Sequence, residues 1–253
     1  MMYDLQKANM WKRISAYIFD MILIGILAVG IALLFSTVLG YDRYAAQMDD
    51  AYDRYAAEYG ISFDLTATEY EALPEAERAQ YDAATKALFA DEQVIYAYSM
   101  MINLTLLITT FGFLFSYLIL EFLIPLLLKN GQTLGKKAFG VAVMRMDGVK
   151  ISAPILFVRT VLGKYTLETM IPVLLLIMLY FGFIGGLGLI LIGIILIAQV
   201  VLVSVTRART PLHDMIANTV TVDMASQMIF DSKEGMLAFK KRIHAEESQK
   251  QEY

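Results

Sequence analysis

The sequence predicts an all-α integral membrane protein: a four-helix transmembrane bundle with a helical outer insertion and a small cytoplasmic β-hairpin. Three observations carry this expectation. Of 253 residues, 58% are hydrophobic and 18% are charged, and mean hydropathy is +0.56. Soluble domains run at about 45–50% apolar and about 25% charged. Long apolar stretches interrupt a chain that is otherwise charged. Lys and Arg are also distributed very unequally between the segments joining those stretches.

The first apolar stretch runs from Ile14 to Leu39 with Asp20 as its only charge. It is too long for the h-region of a cleaved signal, which takes about 7–15 residues, and it reads as a retained signal-anchor. The second, from Tyr98 to Leu128, holds only Glu121. The third, from Leu167 to Thr206, has no charge after Glu168. A span needs about 20 apolar residues, so the third stretch holds two. Gly185–Gly186 supplies the turn, since glycine accepts backbone angles that other residues resist. The expected spans are 14–37, 103–128, 167–184 and 187–206.

Basic residues set the expected orientation. Residues 1–13 hold three Lys and Arg, 129–166 hold seven and 207–253 hold seven. Residues 40–97 hold four, against thirteen Asp and Glu. Four spans put every basic segment on one side, so both termini are expected in the cytoplasm of a multi-pass cell (plasma or inner) membrane protein. The chain then divides into 1–39 (N-terminus and first span), 40–97 (acidic outer insertion) and 98–128 (second span). The rest is 129–166 (cytoplasmic loop), 167–206 (hairpin of the third and fourth spans) and 207–253 (cytoplasmic tail).

The insertion repeats YDRYAA at Tyr41–Ala46 and Tyr52–Ala57. Eleven residues is close to three helical turns, so both copies share a face. Two helices are expected, 42–58 and 68–92, separated by Pro74. The tyrosines would form a partner surface, line a lid, or simply pack on one another in a helical cap. The loop 129–166 alternates apolar and polar residues around Asp147–Gly148, a hairpin turn signal. Asn218–Asp223 is a candidate third strand. Ala153–Tyr165 reads as an interfacial helix with Arg159 and Lys164 at the membrane surface. After Asp223 the tail reads as a surface helix or a partly disordered segment.

Candidate chemistry is confined to few residues. Absence of cysteine excludes disulfides, thiol catalysis and Cys-ligated metals. Two histidines, His213 and His244, cannot build a His-rich metal site, so no cofactor or metal is expected, and no nucleic acid partner. Ionisable groups within a span cost about 2.5–3.5 kcal/mol each on insertion scales and stand as functional candidates. Asp20 and Glu121 lie at matching depth, roughly 10 Å inside the inner boundary. Pro125, four residues after Glu121, frees the Glu121 carbonyl. Two carboxylates and one carbonyl are materials for a cation or proton site. The alternative is structural, with Asp20 paired to Arg159, Arg207 or Arg209. Asp214 follows His213, and a structural cap or interfacial ion pair is weighed there against acid–base chemistry. GQTLGKK lacks the spacing of a phosphate loop. Gly131 and Gly135 are read as tight turns, and Lys136 and Lys137 as partners of anionic headgroups.

Together these segments resemble the RDD family of membrane proteins, named for one arginine and two aspartates. KRISAYIFDMILI carries Arg13 and Asp20. NGQTLGKKAFGVAVMRMDG carries the inner-loop motif, VRTVLGK carries Arg159, and PLHDMIANTVTV carries Asp214. The resemblance covers about 10–36, 115–165 and 200–223. It implies a transporter of unknown ligands, with some members linked to sodium–proton exchange. On that reading the chain is a cation–proton exchanger or a small-solute carrier, and Asp20 and Glu121 bind a monovalent cation or proton. Arg13, Arg159 and Asp214 form gate pairs, and the four spans act as a homo-oligomer or with a membrane partner. The 41–93 insertion departs from compact members. A non-transporting scaffold or assembly factor is the alternative, and a membrane enzyme is the weakest reading.

Overall fold

The computed structural model describes residues 7–205 and 210–251. Four of its helices are long and apolar enough to cross a membrane: Met10–Leu39, Glu92–Leu128, Ala153–Tyr180 and Leu187–Val205. The chain is an all-α integral membrane protein with one small two-stranded sheet. Most of the span surface is exposed and apolar. Ile18, Ile22, Ile26 and Val29 on the first span, and Ile190, Ile194 and Ile197 on the last, face outward. In water such a surface would be unfavourable by about 25 cal/mol per Å²; in a bilayer it meets lipid.

Two compact units divide the chain: Ala32–Phe111, and the segments up to Ile31 and from Gly112 onward. In the first unit lie α2 (Tyr41–Tyr59), α3 (Ala67–Ala72) and α4 (Glu75–Leu88). Gly60, in the left-handed region at φ 63°, ends α2. Pro74 therefore does not separate the two expected helices; it splits the second of them into α3 and α4. A capping box pairs Thr66 with Glu69 at the start of α3, satisfying backbone donors a helix start leaves open. Met48, Ala51, Leu88, Val94 and Ala97 form the core, flanked by Tyr52, Tyr55 and Phe63. Tyrosines of the repeat pack on aromatic neighbours: Tyr52 on Phe63, Tyr55 on Tyr59, Tyr44 on Tyr96.

In the second unit, α1 (Met10–Leu39) buries a stripe of Ala16, Asp20, Ile24 and Ala28. The four-residue spacing keeps these on one helical ridge. The second span combines α5 (Glu92–Tyr117), a π-helical segment (Leu118–Leu123) and α6 (Ile124–Leu128). α7 (Leu134–Ala138) and β1 (Val141–Arg145) follow. The third span runs from α8 (Ala153–Phe157) through a second π-helical segment (Val158–Met170) to α9 (Ile171–Tyr180). The expected interfacial helix Ala153–Tyr165 is continuous with the helix expected from 167, in one apolar helix, Ala153–Tyr180, long enough to cross a membrane. Hydropathy missed this because Arg159 and Lys164 are charged, yet both are buried against protein.

That span stops at Tyr180 rather than 184. Gly182, at φ 74°, lets the Phe183 N–H reach the Met178 carbonyl and its own N–H reach that of Leu179, a Schellman ending. α10 (Leu187–Val205) is the fourth span. α11 (Leu212–Ile216), β2 (Thr219–Asp223) and α12 (Lys233–Gln251) close the chain. The tail after Asp223 is therefore largely helical.

β1 pairs antiparallel with β2, from Val141 opposite Asp223 to Arg145 opposite Thr219. The turn at Asp147–Gly148 forms, with Gly148 at φ 86°, but its return arm is a single bridge, Met144 to Lys150. The Asn218–Asp223 region, expected as a third strand, supplies the main partner. Long-range pairing wins because both faces of β1 are covered. Val141 packs with Ala8 and Ala16, Val143 with Ile151 and Leu156, and Met144 with Val220 and Val222.

Candidate functional site

Asp20, within the buried stripe of α1, lies beside the loop GQTLGKK. Thr133 caps α7, its hydroxyl accepting from the Lys136 N–H at 3.2 Å. That hydroxyl also meets Asp20 Oδ2 in a short hydrogen bond. The Gly135 N–H donates to Asp20 Oδ1 at 2.7 Å. A helix start leaves backbone donors open, and here the carboxylate of another helix takes one. Gly135 must be glycine for this approach, since a Cβ would overlap Ala16 O and lie 2.8 Å from Asp20 Oδ1. Gly131, at φ 67°, sits where a Cβ would be 2.7 Å from Val143 O. The loop that resembles a phosphate cradle therefore holds the protein's own carboxylate.

Both π-helical segments run into a proline, Pro125 and Pro172. A missing N–H breaks the i→i+4 ladder, and the backbone widens, with the Ile124 N–H bonding to Ile119 O and the Ile171 N–H to Thr166 O. Such segments are rare and often sit at functional sites. The Glu121 carbonyl freed by Pro125 accepts from Thr160 Oγ1 at 3.0 Å, so it is not an open cation ligand. The wider turn also sets which residues of the second segment are buried: Arg159, Lys164 and Thr169, then Thr160, Tyr165 and Met170, each five apart. Thr169 Oγ1 and Tyr117 Oη share a hydrogen bond of 2.7 Å.

Glu121 is 1% exposed. Lys164 Nζ bonds its Oε1, and among the described residues no donor bonds its Oε2, with Lys136 Nζ 4.0 Å away. Lys136 Nζ also lies 3.6 Å from Asp20 Oδ2 and 3.2 Å from Thr133 Oγ1. Lys136 thus stands between the two depth-matched carboxylates, and Lys164 is bonded to one of them. Lys136 is buried rather than at lipid headgroups, whereas Lys137 is exposed. Burial pulls the Lys136 ammonium down to about 8; Lys164 and Arg159 add to this, while Glu121 and Asp20 oppose it.

A second cluster adjoins the first along the same π-helical segment. Arg159 Nε donates to Asp214 Oδ1 at 2.7 Å, and each side chain is 1% exposed. Thr219 Oγ1 donates to the same oxygen at 2.7 Å. Burial pushes the Asp214 carboxyl up, but the Arg159 charge, His213 and these hydrogen bonds outweigh it and hold it well below the usual carboxylate range. Glu168 meets His213 twice: the backbone N–H donates to Oε1 at 3.0 Å, and Nδ1 is 2.7 Å from Oε2. His213 Nε2 is 3.8 Å from Asp214 Oδ1. Burial, then the Arg159 charge, lowers the His213 imidazole below its ordinary value against the pull of both carboxylates. Gly163 admits this packing, since a Cβ there would be 2.6 Å from His213 Cβ.

Of the residues singled out from sequence, Asp20, Glu121, Gly135 and Lys136 converge, and Arg159 and Asp214 form a pair. Asp20 is held by Thr133, Gly135 and Lys136 rather than by Arg159; Arg207 and Arg209, the other proposed partners, lie outside the described residues. Arg13 is half-buried beside a surface depression of about 430 Å³, with Lys7, Asn9 and Asp223. Thr133, Thr160, Lys164 and Glu168 were not picked out as site residues. The five-residue spacing of Arg159, Lys164 and Thr169 was the available signal, but it reads as noise against a 3.6-residue period.

Fold and site define a four-span membrane protein whose buried charges are paired across three spans and two short connecting elements. The RDD family profile matches residues 7–218, most of the chain, and the protein belongs to the RDD family. No curated protein and no solved structure matches it.

Proposed function

We propose that this RDD family protein is a membrane transporter that exchanges a monovalent cation for a proton, with Asp20 and Glu121 as the cation-binding carboxylates. The observation carrying this reading is the Glu121 Oε2 atom: buried, without a hydrogen-bond donor among the described residues, and facing Lys136 Nζ, which in turn faces Asp20. Buried polar atoms are nearly always satisfied, and intramembrane carboxylates cluster along ion pathways. Arg159–Asp214 serves as an inner gate pair, with Arg13 at the start of the first span. Both termini lie in the cytoplasm and residues 40–97 outside, by the Lys and Arg distribution. Four spans imply a homo-oligomer or a membrane partner. The chain is read as a non-enzyme that works without cofactor or metal catalysis.

The test is ion flux. Purified protein in liposomes holding a pH-sensitive dye receives pulses of sodium, potassium or lithium. Wild type is expected to give a cation-dependent pH change, and Asp20→Asn and Glu121→Gln to lose at least 90% of it while remaining folded. Absence of flux with all three cations removes the exchanger. One observation favours a second reading, a scaffold: Ala32–Phe111 is a compact unit with its own core. Folded protein without flux, in which both carboxylate variants are only less stable, would support that reading.

A further inference from the structure

Among the described residues, the buried charges of the bundle do not balance, and the imbalance is a single charge. Among the described residues of the bundle, Asp20, Glu121, Glu168 and Asp214 are the buried or nearly buried carboxylates. Lys136, Arg159 and Lys164 are the buried cations, and His213 is the remaining ionisable group. With His213 neutral, the set carries one negative charge in excess; with His213 protonated, it is neutral. An uncompensated charge in low dielectric is costly, so the set calls for one more positive charge.

We infer that the His213–Glu168 dyad is the proton-carrying site of the exchanger, separate from the cation-binding carboxylates Asp20 and Glu121. This rests on the proposed exchange and names the group that takes the proton. Geometry supports it. Glu168 fixes the imidazole by accepting from the His213 N–H and lying 2.7 Å from Nδ1. Among the described residues, the charged groups facing the dyad are Arg159 from the third span and Asp214 from α11, and the titratable Tyr17 of the first span and Tyr117 of the second lie within electrostatic reach of Glu168. Gln199 of α10 accepts from the Leu212 N–H, one residue before His213. The lowered imidazole puts loading and unloading on the acid side of an ordinary histidine.

Coupling follows from charge. The second π-helical segment carries Glu168 at the dyad and Lys164 and Arg159 at Glu121 and Asp214. The set is neutral with a proton on the dyad and no bound cation, or with one monovalent cation at Asp20 and Glu121 and no dyad proton. One proton leaves for each cation that enters, and charge is conserved.

Only two histidines are present, so a His244→Gln background leaves His213 as the sole imidazole for ¹⁵N-histidine spectroscopy in detergent. The first measurement is its titration with and without 300 mM sodium, lithium or potassium chloride, with choline chloride as control, an expected shift of at least threefold in proton affinity being the readout (about 0.65 kcal/mol). The second is exchange in liposomes for wild type, His213→Gln and Glu168→Gln at pH 5.5–8. In wild type the KM for the cation rises toward tenfold per unit as pH falls below the His213 midpoint. In His213→Gln that rise disappears, and pH-driven exchange is lost while cation binding persists. Exchange by wild type together with a cation-insensitive His213 titration, or a His213→Gln profile matching wild type, overturns the dyad and leaves the exchanger standing. No exchange by wild type removes both. Should His213→Gln fail to fold, the wild-type titration decides alone.

Discussion

Replacing Arg159 with methionine is expected to lower stability in detergent by about 3–5 kcal/mol, the usual effect of leaving a buried charge without its partner. Asp214 would keep the Thr219 hydroxyl at 2.7 Å, that of Thr221 at 3.5 Å and the nearby His213 ring. Neither hydroxyl supplies the missing positive charge. Volume is nearly conserved, so little of the effect comes from a cavity. The double variant Arg159→Met, Asp214→Asn removes both charges. It is expected to fall short of the summed single effects by about 1–3 kcal/mol, the range for residues in direct contact. Thermal and chemical denaturation of the four proteins measures this. A single variant within about 0.5 kcal/mol of wild type would mean that water reaches Asp214 and that the pair does not hold these elements together.

Gly135→Ala is expected to have a comparable effect by another route. The added methyl overlaps Ala16 O, a backbone atom of a transmembrane helix, and approaches Asp20 Oδ1 to 2.8 Å. Overpacking costs about 1–3 kcal/mol. Relief of the overlap by movement of α7 would also lengthen the Gly135 N–H bond to Asp20, and a hydrogen bond to a charged group contributes about 1.5–3 kcal/mol. Lys136 would shift with the same short helix, so the variant should lose cation-dependent flux as well. Gly185→Ala is the control, since a Cβ there meets nothing within 4 Å. Equal melting temperatures for the two variants would show that the loop yields without strain.

Much of the architecture was readable before any coordinates. Apolar runs around Asp20 and Glu121 gave the first two spans, and Gly131 and Gly135 stood out as backbone-critical. The start of the third span was hidden because hydropathy assumes that a charged residue seeks water. Arg159 and Lys164 find Asp214 and Glu121 instead. Lys136 was misplaced for the same reason. Long-range pairs such as Glu168 with His213 leave no trace in local spacing. The π-helical widening follows from Pro125 and Pro172, whose effect on backbone bonding was foreseen at Glu121. The Thr160 hydroxyl that closes the gap comes from another helix and could not be.

The most direct measurement is cation-driven proton movement in liposomes whose membrane potential is clamped with potassium and valinomycin. On the proposed exchange, one proton leaves for each monovalent cation that enters and no net charge moves, so wild type should change the lumenal pH at a rate unchanged between clamps of 0 and −100 mV. A clamp of that size is worth about 2.3 kcal/mol per charge, so electrogenic exchange would change the rate severalfold. A folded protein that moves no protons with sodium or lithium, or whose rate follows the potential, would contradict the one-for-one exchange.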